Sequence, residues 1–133
     1  MKKIVLLSLL VSLFLLFTGC DDDESKVDTP NWIRGSWQPK APTNPDDYAI
    51  YRYEEHDILL AYVINGNEEA FGSEIVDEDF YTELESSESN FNYKLDGLGI
   101  AETIKIKKVD ASTCVRISIR NGQETLNDTL IRR

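Results

Sequence analysis

Few residues of this 133-residue chain have side chains suited to nucleophilic catalysis. The chain contains two cysteines, Cys20 and Cys114, and a single histidine, His56. A cysteine nucleophile needs a neighbouring base that activates its thiol. His56 lies in the polar string Glu54–Asp57, which is typical of a turn, so the pattern does not favour a Cys114–His56 pair.

Carboxylates are abundant, and a glycoside hydrolase would need two of them facing each other across a cleft. In this sequence they fall in predicted turns or on outward faces of strands, where exposure to water is the ordinary reason for a charged side chain. The chain also has no metal-ligand spacing and no phosphate-binding loop. We therefore expect a protein that is not an enzyme and holds neither metal nor cofactor. The carboxylates considered are Glu54, Glu55, Asp57, Glu74, Asp77, Asp79 and Glu83.

The N-terminus has the pattern of a secretory signal. Two lysines, Lys2 and Lys3, precede an apolar run over residues 4–17, and small residues follow. The run has 14 residues, whereas a membrane-spanning helix needs about 20. Thr18, Gly19 and Cys20 then resemble a bacterial lipobox, although Phe17 stands where leucine is usual. The resemblance implies that residues 1–19 are a signal peptide and that Cys20 is acylated.

A diacylglyceryl group with an added acyl chain would hold the protein on a membrane without spanning it, because one chain alone binds only marginally. The acidic run Asp21–Glu24 resembles an outer-surface export signal of some Gram-negative bacteria, and we expect the outer membrane, exposed at the cell surface. Aspartate after the cysteine also resembles an inner-membrane retention signal, which leaves the periplasmic face as the alternative. We expect residues 20–31 to form a flexible acidic tether.

Charge and cysteine content restrict the partners and the fold. Removing residues 1–19 takes away two lysines and no acid, which leaves 24 acidic against 12 basic residues. Such a chain is unsuited to nucleic acid, whose phosphates are neutralised by Lys and Arg. The remaining 114 residues suffice for one domain, predicted over 32–133. Acylation of Cys20 leaves Cys114 alone, so we expect no disulfide.

Residues from 48 onward predict short antiparallel strands separated by turns. The segments 48–53 and 58–64 are the first two, and the second ends at Asn65–Gly66, a strong signal for a type I′ hairpin. Segments 71–76, 80–84 and 91–95 follow, although residues 77–87 could instead form a short helix.

Alternation is clearest near the C-terminus, in segments 103–107, 114–120 and 126–132. In segment 114–120, Val115, Ile117 and Ile119 occupy one face, and the arginines join the lysines of segment 103–107 on the outer face. Asn121–Gly122 predicts a second hairpin. Eight or nine such strands predict an all-β fold, either a small antiparallel up-and-down β-barrel or an antiparallel β-sandwich.

The barrel is favoured by Gly35-Ser36-Trp37 before the first strand. A Gly-x-Trp motif in this place resembles lipocalins and lipocalin-like bacterial lipoproteins. The resemblance implies that Gly35 permits a close bend, that Trp37 plugs the closed end, and that an arginine of the last strand lies across the Trp ring. Arg132 and Arg133 are both candidates, because the strand parity is ambiguous. The chain is shorter than a full lipocalin and lacks its C-terminal helix.

The resemblance implies a binding module for a small apolar or amphiphilic ligand, in which aromatic side chains line the mouth of the barrel. The alternative is a structural or interaction lipoprotein that binds an envelope protein, a host protein or a glycan. Most of these aromatic residues could equally be core. The residues proposed to contact a ligand are Tyr51, Tyr53, Tyr62, Phe71, Phe91 and Tyr93.

Overall fold

The computed structural model describes residues 26–75, 78–97 and 99–133. Cys20, the signal peptide and the first residues of the predicted tether lie outside this part of the chain. Within the described residues, no helix has the length and apolar character needed to cross a bilayer.

The described chain is all-β, with ten strands and one short 3-10 helix at Glu78–Phe80. The strands predicted over residues 48–53 and 58–64 have those same bounds. The segment predicted over 71–76 is much shorter, the one over 80–84 is shifted toward the C-terminus, and the four later ones extend further than predicted. The strands are β1 (Gly35–Pro39), β2 (Tyr48–Tyr53), β3 (Ile58–Ile64), β4 (Asn67–Glu68), β5 (Gly72–Ser73), β6 (Tyr81–Ser86), β7 (Asn90–Gly97), β8 (Ile100–Lys108), β9 (Thr113–Arg120) and β10 (Gln123–Arg132).

The strands form one antiparallel sheet in the order β4-β3-β2-β1-β10-β9-β8-β7-β6, with β5 also paired to β3. Most sequence neighbours pair, the exceptions being β4 with β5 and β5 with β6, and β1 also pairs with β10. The up-and-down antiparallel arrangement is therefore confirmed. Within the described residues the sheet is not closed into a barrel by hydrogen bonds, because no ladder there joins β6 to β3 or β5. The fold is barrel-like but open along this line.

The missing pairing between β6 and β3 or β5 has a local cause. The segment predicted as a strand over residues 71–76 supplies only the two-residue strand β5 (Gly72–Ser73), which pairs with Leu59 and Leu60. The chain then enters the 3-10 helix and begins β6 at Tyr81. Residues 81–86 are a strand rather than the alternative helix, since they pair with β7.

Both predicted type I′ hairpins have the required backbone. Asn65 and Gly66 have φ angles of 51° and 76°, and Asn121 and Gly122 have φ angles of 52° and 75°. Positive φ at both central residues matches the twist of the flanking strands. These two turns lie at the same end of the sheet, which we call the hairpin end.

The opposite end, the capped end, carries the turns at residues 54–57, 87–89 and 109–112 and is crossed by residues 27–34. Val27 and Thr29 in this segment are buried. The packed domain therefore begins earlier than the predicted boundary at residue 32. The reason is that Val27 joins the main apolar core, together with Ile33 and Trp37.

Strand β9 is oriented opposite to the prediction. Cys114, Arg116 and Ser118 point inward and are buried, with 0%, 3% and 1% of their surfaces exposed. Its β-branched residues are half-buried on the outer face, where Val115 pairs with Lys107 and Ile117 with Lys105. Long lysine side chains can cover apolar surface with their methylene stems, so the outer position is tolerated.

Candidate functional site

Gly35, Trp37 and Arg132 meet at the capped end. The Trp37 ring is completely buried, and its indole N–H donates to the carbonyl of Ile33 at 2.6 Å. The Arg132 guanidinium carbon lies 4.4 Å from the centroid of the ring. The close approach requires Gly35, since a Cβ at that position would lie 2.7 Å from Arg132 Nη1.

Arg132 is therefore the arginine that covers Trp37, and Arg133 is not. The Arg132 guanidinium also donates to the carbonyls of Arg34 at 2.5 Å, Trp32 at 2.7 Å and Ala111 at 3.2 Å. Arg133 instead pairs with Glu68 at 3.1 Å. The capped end is thus a structural cluster whose donors are already used within the chain.

Three aromatic residues proposed to contact a ligand pack against one another in the interior. Tyr53 and Phe91 make an edge-to-face pair with centroids 6.3 Å apart, and Phe91 lies 5.2 Å from Tyr93. All three are at most 1% exposed. Their rings fill the interior above Trp37, so these three residues belong to the core.

Two other proposed ligand residues lie elsewhere. Phe71 packs on the outer face of β2 and β3, against a small second cluster that contains Ile50 and Val63. Its ring is covered by the Arg52 guanidinium at 3.9 Å. Tyr62 lies near the hairpin end and is 51% exposed. Neither ring joins the interior aromatic group.

A polar group lies in the middle of the interior, centred on Arg116. Its guanidinium lies 4.1 Å above the ring of Tyr51, the sixth proposed ligand residue, and 3.3 Å from Glu74 Oε1. It also donates to Ser118 Oγ at 2.9 Å. The hydroxyl of Tyr93 reaches the other Glu74 oxygen at 3.4 Å. The Arg116 and Glu74 side chains are only 3% and 15% exposed, so this is a buried ion pair.

Two buried polar atoms of this group, Arg116 Nε and the hydroxyl of Tyr53, have no hydrogen bond of good geometry among the described residues. The two side chains still interact with each other, since Arg116 lowers the pKa of the Tyr53 hydroxyl against the effect of burial. A buried polar atom without a partner costs stability, about 1–3 kcal/mol. Such atoms in an interior that is otherwise well packed mark a place where a polar group of a ligand could bind.

The environment raises the pKa of the Glu74 carboxyl above its usual value. Burial is the main cause, and the Glu102 charge adds to it. The Arg116 cation and the hydrogen bond from Tyr93 act in the opposite direction. Desolvation also raises the pKa of Tyr51 and Tyr53. The tyrosines are therefore neutral hydroxyls that can donate or accept a hydrogen bond.

Further charged side chains lie between Arg116 and the hairpin end. Asp128 is the cross-strand partner of Arg116, and Glu102 is that of Arg120. The Glu102 carboxylate pairs with the Arg120 guanidinium at 3.5 Å. The inward face of the sheet thus changes from apolar at the capped end to charged at the hairpin end.

Cys114 belongs to the apolar half. Burial raises the pKa of its thiol to about 12, although Arg132 and Arg116 oppose the shift. A thiol with this pKa stays protonated at neutral pH and is a poor nucleophile. His56 lies in the predicted turn, where its Nδ1 is 3.1 Å from the carbonyl oxygen of Val27.

The predicted carboxylates do not assemble a metal centre within the described ranges, where no group of three or more His, Cys, Asp or Glu side chains has suitable geometry. A groove of about 520 Å³ lies beside the capped end, away from Arg116. It is lined by Pro30, Asn31, Trp32, Ser86, Ser87, Glu88 and Lys108.

Sequence reasoning missed Arg116, and it treated Glu74 only as one of many solvated carboxylates. The signal was present in the strict alternation of β9, which places Cys114, Arg116 and Ser118 on one face. Alternation shows that two faces exist but not which one is buried. Isoleucines on the other face favoured the opposite orientation.

No family model matches the chain, and neither a search of curated proteins nor a search of solved structures finds a match. The resemblance to lipocalins therefore stays a prediction that depends on the residues at the two ends of the domain.

Proposed function

We propose that this protein is a membrane-anchored, non-enzymatic binding module that holds a small amphiphilic ligand between the Arg116 group and the hairpin end. The observation that carries the proposal is the buried Arg116, whose Nε atom has no hydrogen bond of good geometry among the described residues. A ligand oxygen could accept from Arg116 Nε, and a few fixed polar groups commonly orient a ligand in a largely apolar site.

An amphiphile fits this interior better than a purely apolar molecule. The capped half is already occupied by Trp37, Phe91 and Leu130, all completely buried. The polar part of a ligand would meet Arg116, while exposed apolar side chains near the hairpin end are available to its apolar part. These are Tyr62, Ile64 and Ile100, each about half exposed.

The membrane anchor in this proposal is an acylated Cys20, supported by the signal pattern before it. We place the protein on the outer membrane at the cell surface, with the periplasmic face as the alternative. We expect Cys20→Ser to release the protein from membranes into the soluble fraction. A variant that still sediments with membranes through an uncleaved signal would contradict the anchor.

Ligand binding is tested by native mass spectrometry of the full chain purified from its own host. We expect a bound mass on the wild-type protein that is lost in Arg116→Met and also in the Arg116→Met/Glu74→Met double variant, in which no buried charge is left without its partner. Arg133→Met is the matched control, because it removes the same charge on the outer face and should keep the bound mass. Absence of a bound mass on the wild type, or its retention in Arg116→Met, would contradict the binding-module proposal.

The outer face of β9 supports a second candidate, a lipoprotein that binds another envelope or host protein. Val115, Ile117 and Ile119 form a half-buried apolar stripe there, and apolar surface that stays partly accessible commonly marks protein contacts. We expect crosslinking in host cells through a photoreactive residue at position 117 to capture a partner if this candidate is correct. The same residue at exposed position 69, after the edge strand β4 and away from β9, serves as the control.

A further inference from the structure

The groove beside the capped end has the size of a small-molecule site. Its volume is about 520 Å³, within the range of about 300–1,000 Å³ that is common for ligand pockets. One wall contains Asn31 and Trp32, and the other contains residues 86–88 and Lys108. The described residues that line the groove include no member of the Arg116 group, so this cavity is separate from the ligand site proposed above.

Hydrogen bonds hold both walls of the groove in place. The indole N–H of Trp32 donates to the carbonyl of Ser87 at 2.8 Å, which joins one wall to the other. The carbonyl of Trp32 accepts from Arg132 at 2.7 Å, and the backbone N–H of Lys108 donates to the carbonyl of Ser89 at 2.8 Å. A ligand would therefore meet a preformed site, and binding would cost little ordering of the protein.

Trp32 supplies a flat apolar surface to this groove. Its side chain is half-buried and packs against the main apolar core, while the rest of it lines the groove. The indole N–H is already bonded to the carbonyl of Ser87, so the ring offers a ligand an aromatic surface in a fixed orientation and no free donor. Such a surface favours a ligand with an apolar face that can stack on it.

Polar side chains beside the ring keep their hydrogen-bonding capacity. Among the described residues, the side chains of Asn31, Glu88 and Lys108 form no hydrogen bond and no ion pair. The Asn31 amide can donate and accept, the Glu88 carboxylate accepts and the Lys108 ammonium donates. Glu88 and Lys108 also cancel in charge, so the lining has no net formal charge although the whole chain carries −10.

We propose that this groove binds a neutral saccharide, with one face of a sugar ring on Trp32 and its hydroxyls bonded to Asn31, Glu88 and Lys108. A pyranose ring has faces of C–H groups and a rim of hydroxyls that donate and accept, which matches an aromatic surface flanked by donors and acceptors. A purely apolar ligand would bury the polar side chains without partners, at a cost in free energy. An anionic ligand would meet the Glu88 carboxylate as well as the Lys108 ammonium.

The saccharide site is tested with the full chain, purified from its own host, on an array of neutral and acidic glycans. We expect binding to a set of neutral glycans that share a sugar residue. Trp32→Ala should weaken this binding about tenfold, and Trp32→Phe should weaken it less because an aromatic face remains. Absence of binding to every neutral glycan, or binding confined to acidic glycans, would overturn the proposal.

Two further variants test the polar contacts without removing a ring that packs on the core. Glu88→Ala and Lys108→Met should each weaken glycan binding about tenfold, since each removes a hydrogen bond to a charged group. Glu83→Ala and Lys107→Met are the matched controls, because they remove the same charges at exposed positions outside the groove. The denaturation midpoint of each variant shows whether it is folded. Equal losses in the variants and their controls would overturn the proposal.

A solution titration separates this site from the Arg116 site. The glycan bound on the array is added while tryptophan emission is recorded. Trp37 is completely buried, so we expect an emission change that comes from Trp32, disappears in Trp32→Phe and is retained in Arg116→Met. A change that persists in Trp32→Phe would overturn the stacking on Trp32, and its loss in folded Arg116→Met would overturn the separation of the two sites.

Discussion

Arg132 and Trp37 face each other across β10 and β1, with the guanidinium carbon 4.4 Å from the ring centroid. An arginine over an indole face contributes about 0.5–2 kcal/mol, and the larger values apply to desolvated pairs. Here the guanidinium also donates to three backbone carbonyls. The pair therefore ties the first and last strands to the segment that crosses the capped end.

Trp37→Ala should lower the free energy of unfolding by roughly 3–5 kcal/mol, because the ring is completely buried and its removal leaves a cavity. Chemical denaturation checks this value. Trp32→Phe is the matched control, since Trp32 is only half-buried, and it should cost less. A loss under about 1 kcal/mol in Trp37→Ala would contradict the role of Trp37 as the plug of this end.

Gly35→Ala should destabilise the protein by roughly 1–3 kcal/mol. Gly35 has a φ of 119°, and the added Cβ would lie 2.7 Å from Arg132 Nη1. We expect a change in tryptophan emission as Arg132 shifts from the Trp37 ring, together with a lower denaturation midpoint. Gly72→Ala is the control, because a Cβ there would meet no atom within 4 Å. Equal effects of the two substitutions would contradict the close-approach argument.

The buried Arg116–Glu74 pair should show strong coupling in a double-mutant cycle. Removal of one member leaves an uncompensated buried charge and costs about 3–5 kcal/mol, whereas replacement of both by apolar residues is often neutral or stabilising. We expect Arg116→Met and Glu74→Met each to destabilise and the double variant to recover most of the loss. Additive losses in denaturant titrations would show that the pair does not act as a unit.

The same pair predicts a pH dependence. Glu74 has a raised pKa in the folded state, and loss of the Arg116 cation in Arg116→Met should raise it further. The folded variant then binds a proton that the unfolded chain releases near pH 4.3, so its stability falls as the pH rises above that value. Unfolding free energies at pH 4 and pH 7 measure the effect, and a deficit relative to wild type that is greater at pH 4 would contradict it.

Cys114 should be unreactive in the folded protein. Its thiol is completely buried and its pKa is raised to about 12. In Cys20→Ser, which leaves Cys114 as the single thiol, we expect no reaction with a chromogenic disulfide at pH 8 and one reacted thiol per chain in denaturant. Rapid reaction without denaturant would show that the core around β9 opens readily.

Local features of the fold were predictable from the sequence. The aromatic-rich segment 48–53 and the short apolar run 58–64, each bounded by turn residues, predicted β2 and β3 with their observed bounds. Asn65–Gly66 and Asn121–Gly122 identified two hairpins. The backbone requirements of a turn and the period of a strand depend on neighbouring residues alone. The meeting of Gly35, Trp37 and an arginine was expected only through the resemblance to lipocalins.

The candidate site was less predictable. Arg116 was placed on the outer face, because a strand with isoleucines on one face favours burial of that face. The Arg116–Glu74 pair joins positions 42 residues apart, and its stability depends on partners that local sequence cannot identify. Tyr62 and Phe71 were grouped with the interior aromatics by residue type. In the structure Tyr62 lies near the hairpin end, and Phe71 packs on the outer face of the sheet.

By itself, the sequence determined a β-rich domain, its main strands and its tight turns, since these follow from alternation and from the φ preferences of asparagine and glycine. The tertiary structure alone decided which face of β9 is buried, which arginine covers Trp37, and that Val27 belongs to the core. Each of these depends on contacts between residues distant in the chain. Such contacts form only when the sheet is assembled, so their free energy cannot be read from any single segment of the sequence.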